Sequence, residues 1–147
     1  MKKVFVSFSA LMIAVLSFAG PVNESEPGVL VLNEFKKEFS AAENVTWSKQ
    51  DEFDKATFVL AGRRVVAYFN NTGQLEGCVR DLFFDQLPLA VMTAVDKRYG
   101  SAGVLDVREV TNSEGTSYRL TIETKTRKLR VKVTSDGNLN VLEKIKK

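Results

Sequence analysis

The sequence predicts an α+β fold of two layers, in which a helix plus a four-stranded antiparallel meander occurs twice in tandem. Three observations predict it. Apolar residues recur at helical spacing, the period then changes to two, and the whole pattern returns about 60 residues later. A helix stripe and a one-faced sheet must each bury their apolar side, and packing one on the other does so.

The first helix is read from Val31, Leu32, Phe35 and Phe39, with Lys36, Lys37 and Glu38 between them. That is an amphipathic stretch of about three turns. Val45 and Trp47 then alternate with Asn44, Thr46 and Ser48 as a first strand. Asp51-Glu52-Phe53-Asp54 reads as a solvated turn, where short acidic side chains hydrogen-bond locally. Ala56–Leu60 and Arg64–Phe69 follow as strands around Gly62. Asn70-Asn71-Thr72-Gly73 is a turn whose glycine can take positive φ, and Gln74–Arg80 completes the meander.

The second copy opens at Pro88-Leu89-Ala90. Val91, Val95 and Tyr99 stand 60 places after Val31, Phe35 and Phe39. Leu105, Val107, Tyr118 and Leu120 stand 60 after Val45, Trp47, Phe58 and Leu60. A hairpin four residues longer then shifts the offset to 64, so that Leu129, Val131, Val133, Gly137 and Leu139 match Val65, Ala67, Phe69, Gly73 and Leu75. The helix stripe of each copy covers the inward sheet residues: Phe58, Leu60, Val65 and Phe69, then Tyr118, Leu120, Leu129 and Val133. The repeats span about 29–81 and 82–147 and form a single domain, 29–147.

Ahead of it, Lys2-Lys3, an apolar run from Val4 to Phe18, and small residues before Gly20 are the features of an export signal cleaved after Ala19. The run is shorter than the roughly 20 apolar residues a membrane span needs. It is followed by a polar leader, 20–28, containing Pro21 and Pro27. No cysteine stands directly after the cleavage point for lipid attachment, so no stable membrane anchor is expected. The location expected is periplasmic or secreted. Loss of Lys2 and Lys3 reduces the net charge from +3 to +1, so nucleic acid is not implied as a partner. Cys78 is the single cysteine. It cannot form an intramolecular disulfide, and burial as a small hydrophobe is favoured over pairing with another chain.

The ordered set Phe35, Phe39, Ala42, Asn44-Val45, Trp47, Ala56-Thr57-Phe58, Ala67-Tyr68-Phe69, Gly73, Leu87-Pro88 and Val91 resembles the PepSY-like, β-lactamase-inhibitor-protein-like family of exported proteins from Bacteroidetes-type bacteria. The resemblance covers about residues 29–142. It implies a two-layer α/β fold with duplicated subdomains and a periplasmic or secreted location, and it implies no catalytic residue set. Val107 stands where the first copy has Trp47, so any role of that tryptophan belongs to the first copy.

Chemistry is sparse. The chain has no histidine, which removes the commonest general base and metal ligand. With one cysteine, zinc sites and Cys-His or Ser-His-Asp arrangements cannot be built. No cofactor and no metal are expected. The carboxylates Asp81 and Asp85 leave an envelope enzyme as an alternative. A groove between the repeats that takes a small or polymeric ligand is another.

The sheet face away from the helices is the main candidate surface. Alternation places Arg64, Val66 and Tyr68 there in the first copy. In the second it places Lys128, Arg130 and Lys132 there, opposite Arg119, Thr121 and Glu123. Val66 and Tyr68 are expected to form a partly exposed apolar patch beside a basic ladder of Lys128, Arg130 and Lys132. The function expected is non-catalytic recognition or inhibition of an envelope or extracellular protein, Tyr and Arg being favoured at interfaces. Packing of the two copies against each other on these faces is a further possibility. Lys144-Ile145-Lys146-Lys147 reads as a frayed, solvated tail with weak attraction for an anionic membrane.

Overall fold

The computed structural model describes residues 24–147, and the export signal falls outside them. The elements run α1 (Val29–Glu38), β1 (Glu43–Gln50), β2 (Phe53–Leu60), β3 (Arg63–Phe69), β4 (Leu75–Asp81), a 3-10 turn (Phe84–Gln86), α2 (Leu89–Tyr99), β5 (Gly103–Asn112), β6 (Gly115–Glu123), β7 (Arg127–Thr134) and β8 (Leu139–Lys146). All eight strands form one antiparallel sheet in sequence order. The two meanders join edge to edge, β4 pairing β5 with Val79 opposite Val110 and Asp81 opposite Arg108. The two helix-plus-meander units therefore lie side by side in one sheet instead of stacking face to face.

Each helix covers its own four strands. Val31 and Phe35 of α1 pack on Ala56, Phe58, Val65, Ala67 and Phe69. Val91 and Val95 of α2 pack on Val107, Tyr118, Leu120, Ile122, Leu129, Val131 and Val133. Phe35 is the hub of the first cluster, with ring centroids 5.1 Å from both Trp47 and Phe58 and 6.2 Å from Phe69. At the corresponding places the second unit has Val95, Val107, Tyr118 and Val133, so one core is aromatic and the other mainly aliphatic. The buried alternations are as expected from the sequence except at Leu105, expected to correspond to Val45; the β5 bulge leaves it 51% exposed while Val104 packs on the core.

The turn glycines have a reason that the sequence conceals. Gly73 and Gly137 have φ of +87° and +94°. A Cβ on Gly73 would lie 3.0 Å from the backbone of Leu30, and one on Gly137 would lie 2.9 Å from the Ala90 carbonyl oxygen. Leu30 and Ala90 occupy the same place in the two helices, so each turn presses its backbone on the first turn of the helix above. Bulges also fall alike, between Glu43 and Thr46 in β1 and between Val104 and Asp106 in β5.

Two local expectations are corrected. The acidic turn contains only Asp51 and Glu52, while Phe53 and Asp54 begin β2. Asp54 is 3% exposed and its Oδ1 lies 2.8 Å from Lys49 Nζ, because β1–β2 register brings Lys49 opposite it on the covered face. The C-terminal residues are no frayed tail. Ladder hydrogen bonding to β7 continues them as β8 to Lys146.

Candidate functional site

With both helices on one side, the other face of the sheet is uncovered. It curls into a recess of about 710 Å³ whose walls come from β2 through β8. Cross-strand register determines what lines it, since residues opposite each other in an antiparallel ladder share a face.

One row is apolar: Val66 of β3 lies opposite Val79 of β4, which lies opposite Val110 of β5. Tyr68 and Lys55 stand beside this row, opposite each other on β3 and β2. The neighbouring row is charged. Asp81 faces Arg108, Arg108 faces Arg119, and Arg119 faces Lys132. Three cations therefore stand opposite one another across β5, β6 and β7. A third row sets Asp106 opposite Thr121, then Arg130, then Glu143.

Ion pairing is unequal among these groups. Arg130 donates to Glu143 at 2.8 Å, and Arg108 Nε lies 3.1 Å from Asp106. Asp81 is held loosely, 3.6 Å from Arg108 and 3.8 Å from Arg64, and its Oδ1 receives no hydrogen bond. Among the described residues, Arg119, Lys132 and Lys55 have no carboxylate at ion-pair distance. The recess thus has an apolar floor toward the first unit and an excess of positive charge toward the second.

Each residue singled out from the sequence now has a place. Tyr68 and Arg130 line the recess. Val66 is on the open face as expected, but it is only 4% exposed. Thr57 and Val79 flank it in register on the two neighbouring strands. It is therefore a buried floor residue and no exposed patch. Lys132 joins the cationic row at its margin. Lys128 lies near the end of the sheet, opposite Glu123 and Ile145, outside the lining of the recess. The basic ladder is therefore split, and Arg108, Arg119 and Arg64 supply most of the charge. Arg108, Asp106, Val79, Val110 and Glu143 were missed. For Asp106, Arg108 and Val110 the signal was the alternation within Gly103–Asn112, whereas Val79 joins them only through the β4–β5 pairing and Glu143 only through the β7–β8 pairing.

The candidate carboxylate pair does not assemble. Asp81 ends β4 on the open face between Arg64 and Arg108, whereas Asp85 is exposed in the 3-10 turn that leads to α2. Among the described residues no group of three His, Cys, Asp or Glu is placed to hold a metal ion. Cys78 is half-buried at the edge of the first core, and burial, then the charge of Glu109, pushes its thiol pKa above 9.0. It is a protonated packing group and a poor nucleophile at neutral pH. No helix among the described residues is long and apolar enough to cross a membrane.

No family model matches the chain, and no curated protein does. Solved structures do match. A BLIP-like protein of Bacteroides fragilis superposes with a TM-score of 0.75 at 20% identity, covering 90% of this chain and 94% of its own. A DUF2874 family protein of Bacteroides ovatus gives 0.72 at 24% identity, over 83% of this chain and 89% of its own. A protein of Bacteroides eggerthii described as periplasmic gives 0.72 at 20%, over 83% and 90%. At such identities the likeness is one of fold, and the fold is BLIP-like α+β.

Proposed function

We propose that this chain is an exported, non-catalytic recognition module whose concave sheet face grips an acidic surface of an envelope or extracellular protein. One observation carries the reading: Arg108, Arg119 and Lys132 stand in register across three adjacent strands, and two of them lack an acidic partner. Like charges directly opposite in a sheet are destabilising by a few tenths of a kcal/mol to about 1 kcal/mol. A fold keeps such an arrangement where binding relieves it. Tyr68 and the valine floor add apolar area beside the charge, the mixture that dominates protein interfaces.

The periplasmic or secreted location rests on the export features at the start of the sequence and agrees with the description of the B. eggerthii protein. We read the two helix-plus-meander units as products of a duplication, supported by the matched bulges and by the turn glycines seated under Leu30 and Ala90. The PepSY-like part of the resemblance rests on the quoted core residues alone.

The test places a photo-cross-linking amino acid at Tyr68 in the native envelope and identifies what is attached. The partner is then purified and titrated against the parent, Tyr68→Ala and Arg119→Glu. Saturable binding that both substitutions weaken at least tenfold supports the reading. Equal affinity for all three overturns it, as does hydrolase activity that disappears on Asp81→Asn.

A further inference from the structure

Strand pairing gathers six cations at one corner of the molecule, from two groups of three at 125–128 and 144–147 in the sequence. Lys125, Arg127 and Lys128 belong to the β6–β7 hairpin, and Lys144, Lys146 and Lys147 to the end of β8. Arg127 lies opposite Lys146, and Lys128 lies opposite Ile145. The Lys147 amide donates to the Thr126 carbonyl oxygen at 3.4 Å. All six side chains are exposed. Glu123 is the acid that answers them, with Lys147 Nζ at 3.0 Å. The hydrogen bond from Lys147, then its charge and that of Lys128, holds the Glu123 carboxyl below the usual carboxylate range. The corner carries an excess of five positive charges. A free carboxylate on Lys147 subtracts one.

This differs from the concave face, where Asp81, Asp106 and Glu143 are interleaved with the arginines. Edge protection accounts for lysines on β8, which is a free edge. It does not account for the hairpin cations, because β6 and β7 are paired on both sides. Alternation also spreads them around the rim. Leu129 points into the second core, so Arg127 and its register partner Lys146 share the helix-bearing side, while Lys128 is on the concave side. Cations on both sides of a sheet end suit a broad flat surface met end-on. A ligand in a groove on either face would reach only some of them.

We propose that this corner docks the protein end-on onto an anionic lipid surface, its lysines and arginine meeting the phosphate headgroups while the concave recess opens to the side. Charge supplies the attraction, since Ile145 is the sole large apolar side chain among these residues and is half-buried. Docking is therefore reversible and falls with salt. Each cation near such a surface is worth roughly a factor of five in partitioning.

The test uses protein recovered from the envelope after export, with its mass checked for loss of residues 1–19, because an apolar run at 4–18 would bind any bilayer. It is sedimented with vesicles of phosphatidylcholine alone or with about 30% phosphatidylglycerol, at ~50 and ~500 mM NaCl. Expected is partitioning onto the anionic vesicles at low salt at least tenfold above the neutral ones, lost at high salt. The combination K125Q, K128Q and K144Q lowers it by about 100-fold, and Arg119→Gln leaves it unchanged. Melting curves check each variant, and if the triple variant is unfolded the three single substitutions, about fivefold each, carry the comparison. Equal partitioning on both vesicles, resistance to salt, or a triple variant that binds like the parent overturns the proposal. So does a DNA duplex that displaces the protein at matched phosphate concentration, since the corner would then be a general polyanion site.

Discussion

Gly73→Ala tests the contact on which each helix-over-sheet unit is built. The substitution adds one methyl group, with two consequences. At φ +87° an L side chain is crowded by its own backbone, a cost of about 1–2 kcal/mol. Its Cβ would also lie 3.0 Å from the carbonyl carbon, Cβ and carbonyl oxygen of Leu30. Two of those atoms are helix backbone, so α1 itself must shift, at about 1–3 kcal/mol for an overpacked site. The expected loss is therefore about 2–5 kcal/mol. Gly62→Ala separates the two contributions, because Gly62 has φ +73° and nothing within 4 Å of its added Cβ. It should lose only the backbone part, about 1–2 kcal/mol. Urea unfolding followed by circular dichroism gives both values, and an unchanged slope would show that the unfolded state is the same. Gly137→Ala should match Gly73→Ala, since its Cβ meets Ala90 at 2.9 Å. If Gly73→Ala and Gly62→Ala agree within about 0.5 kcal/mol, the helix does not rest on the turn and the packing argument is wrong.

Further outcomes follow from the cores and from titration. Phe35→Ala should cost about 3–5 kcal/mol in the same urea assay, because it removes the ring that Trp47, Phe58 and Phe69 pack against. Val95→Ala at the corresponding place removes two methyl groups and should cost about 2 kcal/mol. The Cys78 thiol should react slowly with iodoacetamide at pH 8 and at least tenfold faster in urea, because burial keeps it protonated in the fold. The same shift makes stability depend on alkali. A raised native pKa means that the unfolded chain gives up its proton first, so the Cys78 contribution is complete below pH 9.0 and fades as pH rises past it. Tyr118 acts in the same sense above pH 10.0, through burial first and then the charge and hydrogen bonding of Glu109. Melting temperatures should therefore drop more steeply above pH 9 in the parent than in Cys78→Ala.

The helices and strands were legible because each depends on a period within about ten residues, and Phe35/Phe39 or Val65/Phe69 announce that period directly. The open face was legible too, since alternation alone puts Tyr68 and Arg130 opposite to Phe69 and Val131. Pairing between the two units was not. Nothing local tells β4 that its neighbour is β5, yet this pairing sets Val79 beside Val110 and Asp81 beside Arg108. Within the second unit the sequence set Lys128, Arg130 and Lys132 opposite Arg119, Thr121 and Glu123, but missed Arg108, which continues the cationic row onto β5. Val66 failed for a related reason. Alternation predicts the face of a side chain, whereas its exposure depends on the neighbours beside it, here Thr57 and Val79 across the ladder.

Arg119 is where the functional reading meets stability. Opposed by Arg108 on one side and Lys132 on the other, it should destabilise the unbound fold, so Arg119→Gln should raise unfolding free energy by about 0.5–1 kcal/mol. Arg119→Lys keeps the charge with a similar apolar stem and should gain little, so that the difference between the two variants isolates repulsion from packing. Salt provides a second check. Raising NaCl from ~0.1 to ~1 M shortens the screening length from about 10 to about 3 Å, and the advantage of the glutamine should shrink accordingly. A module that needs this cation for its partner would thus become more stable and bind less well on losing it, the exchange expected of a residue kept for recognition. If Arg119→Gln is less stable than Arg119→Lys at low salt, Asp81 and Asp106 neutralise the row well enough that no strain is stored there. The cationic row would then be ordinary surface, and the concave face would lose its claim to a partner.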